Sequence, residues 1–202
     1  MVSSEETPVQ FETNRLKHIQ SKQSASVALR IIKEGKIGYA TATELGDSQN
    51  LVDMAVETAR FGTTAKFELP PLTPYPQVEI FDSSVESVSI EDMAKLGEEL
   101  IITVGGHTPE LICEAGVTRG IISVRIINSR GGQAQYKQSI FRLGIEGQLI
   151  RDADMLFVGE SQSSCHPILE PNAITRIVLQ QLERAKNQAS APTRSLPVVF
   201  TP

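Results

Sequence analysis

Cysteine and histidine stand side by side in Ser163–Pro171, SSCHPILEP, with Glu170 four residues beyond the histidine. A thiol beside an imidazole can make a nucleophile–base pair or half of a metal site. The local spacing argues against both. Neighbours on an extended chain face opposite ways, so Cys165 and His166 do not pair with each other. Pro167 keeps the preceding residue extended. Glu170 sits just before Pro171 and a helical pattern, where a carboxylate favours the positive helix end. The stretch reads as a loop leading into a helix.

The other chemistry-bearing residues are equally dispersed. His18, His107 and His166 lie in HIQSK, HTPEL and HPILE, none of which has the two histidines and glutamate that a helical zinc motif needs. Pro109 interrupts the His107–Glu110 spacing, which reads as a loop. NSRGGQ and TVGGH are glycine-rich but lack the Gly-Lys-Ser or Gly-x-Gly-x-x-Gly runs that cradle phosphate, so their glycines are expected in tight turns. The pairs Glu5-Glu6, Glu91-Asp92 and Glu98-Glu99 fall on solvated positions, where they serve solubility. No catalytic, cofactor-binding or metal-binding residue is assigned.

The elements that must position these residues alternate between strands and helices. TPVQFE, the turn TN and RLKHIQSKQS read as strands, with Leu16 and His18 or Ile19 offering a face. Val27, Leu29 and Ile31 alternate, KEGK turns, and IGYATA returns as a β-hairpin. A helix capped by Asp47 or Ser48 carries the stripe Leu51, Val52, Ala55, Val56 and Ala59, and ends at Gly62. Four prolines between Pro70 and Pro76 make an extended connector, followed by QVEIFD as a short strand. Ser89 with Asp92 caps a second helix through Met93, Leu96, Leu100, Ile101 and Val104, closed by Gly105-Gly106-His107. Two long alternating runs meet at the turn Asn128–Gly132, and DMLFVGESQ is one more strand. Pro171 and Asn172 open a third helix bearing Ile174, Ile177, Val178, Leu182 and Ala185.

This order predicts an α+β fold of antiparallel β-meanders, each followed by an amphipathic helix, with a two-fold structural duplication. The expected division is a first strand–helix unit over 1–69, a proline-rich connector over 70–77, a helix–strand–helix unit over 78–189, and a linker opening a further domain over 190–202. Apolar residues make up 40% of the 202 positions and tryptophan is absent, so aliphatic side chains must build the core. A net charge of −5 without a basic block predicts no direct nucleic-acid partner. No apolar run reaches the roughly 20 residues of a membrane span, and the polar start MVSSEETPVQ is unlike a secretory leader. A cytoplasmic protein with Cys113 and Cys165 reduced is expected.

FETNRLKHIQS, ALRIIKEGKIGYATATEL, the helix ending ETARFG, the connector FELPPLTPYPQVEIFDSSVESVSIEDMAKLGEELI and the pair around IINSRGGQAQYKQS occur in an order that resembles the N-terminal region of the TldD/PmbA family, also called modulators of DNA gyrase. GKIGYATATEL is more similar to the PmbA (TldE-like) branch than to the TldD branch. The resemblance implies a metallopeptidase-type hydrolase assembly of two homologous subunits that carries out proteolysis or peptide maturation on polypeptides. In it the TldD-type subunit holds zinc through His-Glu-x-x-x-His and a later cysteine. That motif is absent from these residues, so zinc is implied for the catalytic subunit and no cofactor for this chain, and Cys165 is not equated with the zinc cysteine. The family pattern also begins earlier and continues past LPVVFTP, which makes this chain an N-terminal segment by resemblance. Two other readings compete: a self-sufficient hydrolase built on Cys165 or His166, and a binding or assembly module for a partner subunit or gyrase-related protein. Strand addition at an open sheet edge is the expected binding mode of such a module.

Overall fold

The computed structural model describes residues 1–43, 46, 48–151, 154–187, 193–195 and 197–198. In chain order the elements are β1 (Val2–Glu12), β2 (Arg15–Ile19), β3 (Lys22–Lys33), β4 (Lys36–Ala42), α1 (Ser48–Ala59), α2 (Ser84–Ser87), α3 (Ile90–His107), β5 (Ile112–Ile127), β6 (Gln133–Arg151), β7 (Asp154–Ser164) and α4 (Asn172–Arg184). All strand pairs are antiparallel, in the order β4-β3-β1-β5-β6-β7, with β2 also on β1. The α+β class and the antiparallel meanders are as expected. The strands of the two expected units join in one sheet, because β1 pairs with β5 from Val2↔Val124 to Phe11↔Ala115. The expected two-fold duplication is not shown by this arrangement.

Alternation along the strands selects the buried face. Val9 and Phe11 of β1, Cys113, Ala115 and Val117 of β5, Phe141, Leu143 and Ile145 of β6 and Val158 of β7 form one core cluster. Met93, Leu96, Leu100, Ile101 and Val104 of α3 cover it, joined by Ile174, Val178 and Leu182 of α4. Burying a side chain as large as Phe141 stabilises the fold by about 1.5–3 kcal/mol. The core is aliphatic apart from Phe11 and Phe141, as a tryptophan-free sequence requires.

Helix α1 instead packs on the β3–β4 hairpin, through buried Ala55 and Ala59. Small residues permit this close approach. A Cβ on Gly38 would stand 2.0 Å from the Ala55 carbonyl oxygen, and one on Gly62 1.9 Å from that of Ile37. Gly62 therefore follows the helix because the chain passes against β4, and not for a left-handed cap. Val52, expected on the buried stripe, is exposed. Ser48 is the first helical residue, and the alternative cap Asp47 lies outside the described residues.

Helix α3 begins as expected. The Ser89 hydroxyl accepts from Asp92 N at 3.0 Å and donates to Asp92 Oδ2 at 2.7 Å. It ends at His107, within the expected Gly105-Gly106-His107 close, with both glycines still helical. Tertiary burial of Leu100, Ile101 and Val104 carries the last turns past two poor helix formers. QVEIFD is not a strand. It runs along β6 beyond the end of β7, held by Ser139 N donating to the Ile80 carbonyl at 3.0 Å. Strand β2 exposes all five of its residues, so Leu16, His18 and Ile19 offer no buried face.

Candidate functional site

Three segments meet where β7 gives way to α4. Strand β7 ends at Ser164, whose hydroxyl accepts from His166 N at 2.9 Å and so turns the chain. His166 Nδ1 lies 2.8 Å from Asp82 Oδ2, on the connector. Asp82 in turn accepts from the Ser84 amide at 2.8 Å and the Ser84 hydroxyl at 2.6 Å, which starts the short helix α2. Beneath them lies Ser139 of β6, fully buried. Its hydroxyl accepts from Asp82 N at 2.9 Å and donates to the Cys165 carbonyl at 2.6 Å.

The junction thus collects a serine, a histidine, an aspartate and a cysteine, but it is wired as a clasp. A serine nucleophile needs its proton directed at a base and its oxygen open to substrate. Ser139 directs its proton at a backbone carbonyl and has no exposed surface. Cys165 contributes its carbonyl to this network, and its thiol is free and half-buried. The Ser84 hydroxyl, then His166 and the Ser84 amide, hold the Asp82 carboxyl at about 2, below its ordinary 3.8. The spacing of SSCHPILEP made a loop legible; the partners Asp82 and Ser139 were not, since they lie 84 and 26 residues from His166 and Cys165 respectively.

The three histidines stay on separate elements. His18 sits exposed on β2 opposite Gln10. His107 closes α3, its Nε2 2.7 Å from Glu183 Oε1 of α4 and its Nδ1 2.9 Å from the Thr108 hydroxyl. Lys186 first, then His107, holds the Glu183 carboxyl below its ordinary range. Among the described residues no three His, Cys, Asp or Glu side chains gather as a metal site. Cys113 is buried on β5, and burial pushes its thiol up to about 11. Glu170 is exposed, and α4 opens at Pro171 without a side-chain cap.

NSRGG is the expected tight turn. Asn128 Oδ1 accepts from Arg130 N and Gly132 N, and Gly131 takes φ 81°. Asn128 also does what its position in the sequence did not announce, donating to the Pro70 carbonyl at 2.8 Å and anchoring the connector. Asn14 plays a similar part in the β1–β2 turn, where its side chain accepts from Cys113 N and donates to the Leu111 carbonyl.

The helical layer covers only part of the sheet. The Arg119 guanidinium donates to the Glu86 and Val88 carbonyls and ties down α2. Beyond Arg119 the same face of β5 turns to Ile121, Ser123 and Arg125. Two open clefts of about 450 and 560 Å³ lie there, sharing Ser3, Ser123 and Lys137. Ser3, Ser123 and Lys137 are register neighbours across β1, β5 and β6. Lys137 also pairs with Glu86 at 3.2 Å and stands 4.2 Å over the Phe81 ring.

Residues 1–60 match the family profile PmbA/TldA metallopeptidase domain 1. An uncharacterized protein of Methanocaldococcus jannaschii is 22% identical over 191 residues, 94% of this chain and 42% of that protein. TldE of Thermococcus kodakarensis superimposes with a TM-score of 0.75 at 14% identity, covering 92% of this chain and 43% of TldE. Candidate DNA gyrase modulators of Thermotoga maritima and Bacteroides thetaiotaomicron superimpose at 0.75 and 0.77, with 15% and 13% identity. They cover 89% and 91% of this chain, and 42% and 44% of their own. The chain spans less than half the length of these relatives.

Proposed function

We propose that this chain, whose first 60 residues match the first domain of the TldD/PmbA family and whose fold matches family structures along nearly its whole length, is the non-catalytic N-terminal part of a TldD/PmbA protein acting in proteolysis or peptide maturation. Its partner in this reading is a homologous subunit, TldD-type or PmbA-type, and the polypeptide substrate is cleaved at zinc held outside these residues. The observation that carries the reading is the match of residues 1–60 to the family's first domain, continued by a fold that accounts for under half of each relative.

The arrangement of side chains supports it. The junction where Ser, His, Asp and Cys meet is committed to joining β6, β7 and the connector. The exposed sheet face with its two clefts leaves a long surface for a second subunit or an extended polypeptide. Metal analysis of the purified chain tests the proposal: zinc well below one equivalent is expected. One equivalent of zinc, lost when His107 and His166 are both replaced by alanine, would overturn it. Mixing with a TldD-type subunit tests the partner, and co-elution in one complex is the expected result. Failure to form that complex, with both chains folded, would remove the subunit reading.

A further inference from the structure

At the outer edge of β7 a side chain stands where a strand would. The sheet order ends at β7, which pairs with β6 on its inner side. On its outer side Gly159 N donates to Gln181 Oε1 at 2.8 Å, and Gln181 Nε2 donates to the Gly159 carbonyl at 3.0 Å. A carboxamide is chemically a peptide group, so Gln181 of α4 reproduces one unit of a neighbouring strand. Alternation places the backbone groups of Met155, Phe157, Ser161 and Ser163 on the same outer edge. Ser161 N is also occupied, by Glu160 Oε1 at 2.9 Å. The opposite edge, β4, is shielded differently: residues 63–65 run beside it, with Ile37 N bonded to the Thr63 carbonyl and Ala65 N to the Gly35 carbonyl.

We infer that Gln181 is a strand mimic that holds the β7 edge shut, and that the partner it excludes is the antiparallel β7 of a second copy of this chain. An edge strand with exposed apolar side chains pairs readily with another strand unless something blocks it. Met155 and Phe157 are 56% and 66% exposed. Their face is shared by exposed Ile150 and Ile112, through the register Ile150↔Met155 and Ile112↔Gln148↔Phe157. β7 is self-complementary about Gly159. A two-fold axis there sets Phe157 beside Ser161 and Met155 beside Ser163, large against small, with no side chain at the axis. Between Met155 and Ser164 Glu160 is the single charged residue, and the axis sets it opposite Val158 and not opposite its own copy. A strand of unrelated sequence satisfies none of these pairings by construction.

Sedimentation equilibrium over a concentration series tests the inference on the full chain. Gln181→Ala no longer has to break two hydrogen bonds per copy, so it is expected to self-associate at least about tenfold more tightly than the parent. Adding Phe157→Pro, which removes an outward N–H that an edge strand tolerates losing, is expected to restore the parental behaviour. Hydrogen exchange at the Gly159 amide reports whether the edge has opened. Faster exchange at Gly159 with unchanged association overturns the inference, as does association that survives Phe157→Pro. If Gln181→Ala stays monomeric yet binds a synthetic Leu143–Leu149 peptide, the edge is real and the second copy is the wrong occupant. Should Gln181→Ala fail to fold, Gln181→Glu keeps the side-chain length but loses the donor to Gly159; association equal to the parent's then overturns the idea.

Discussion

Replacing Ser139 by alanine separates a clasp from a nucleophile. The substitution deletes one oxygen from a fully buried site. It leaves Asp82 N–H without its acceptor at 2.9 Å and the Cys165 carbonyl without its donor at 2.6 Å. A buried polar group left unpaired costs about 1–3 kcal/mol. Both orphaned groups belong to half-buried residues that water can partly reach, so each falls at the low end and the sum is about 2 kcal/mol. That is roughly a thirtyfold loss in the folded-to-unfolded ratio. Urea unfolding of the purified chain measures it, with His166→Ala as the comparison, since that change removes only an exposed side-chain hydrogen bond to Asp82 and should shift the midpoint much less. Ser139 N–H keeps its bond to Ile80 in the variant, so the connector should loosen without detaching. A loss below about 0.5 kcal/mol would refute the reasoning. So would unchanged stability combined with the disappearance of a peptidase activity, because that pattern belongs to a reacting hydroxyl.

Acid unfolding should report Asp82. Its carboxyl is held at about 2 when folded and returns to about 3.8 when unfolded, so its ionised form stabilises the fold above about pH 4, and that contribution is lost as pH falls towards 2. Asp82→Asn is expected to flatten the stability–pH curve in that window alone; an unchanged slope would count against the clasp. Gly38→Ala should destabilise the β3–β4–α1 unit by about 1–3 kcal/mol, because its Cβ meets the Ala55 carbonyl at 2.0 Å, and a differential scan that shows no loss would contradict the close packing. A thiol alkylating reagent at neutral pH should label Cys165 and spare Cys113, which is buried with its thiol pushed up to about 11; mass spectrometry after brief exposure reads the ratio, and equal labelling of the folded chain would be the wrong result.

Much of the local structure was legible before any fold was known, for reasons that lie within a few residues of each other. Val27, Leu29 and Ile31 alternate across KEGK, and the hairpin follows with Gly35 at φ 74°. Ser89 and Asp92 are three apart, and they bond. The stripe from Met93 to Val104 was written at helical spacing and is buried as written. Two departures from the local signal share one cause. QVEIFD looked like a strand because it alternates, yet it lines β6 without joining the sheet, and Gly105 and Gly106 are poor helix formers, yet burial of the turn before them keeps both inside α3. In each case a distant neighbour outweighed the local signal.

What the sequence by itself determined was the inventory: strands, helices, turns, an aliphatic core and a Cys-His pair at the wrong spacing for joint chemistry. What only the tertiary structure decided was partnership. β1 joins β5 across more than a hundred residues, Ser139 reaches both Asp82 and Cys165, and Gln181 meets Gly159 at the edge of the sheet. The physical reason is that side-chain periodicity reports which face of an element is buried, whereas a hydrogen bond between distant segments depends on how the chain returns to itself, and no spacing along the sequence encodes that return.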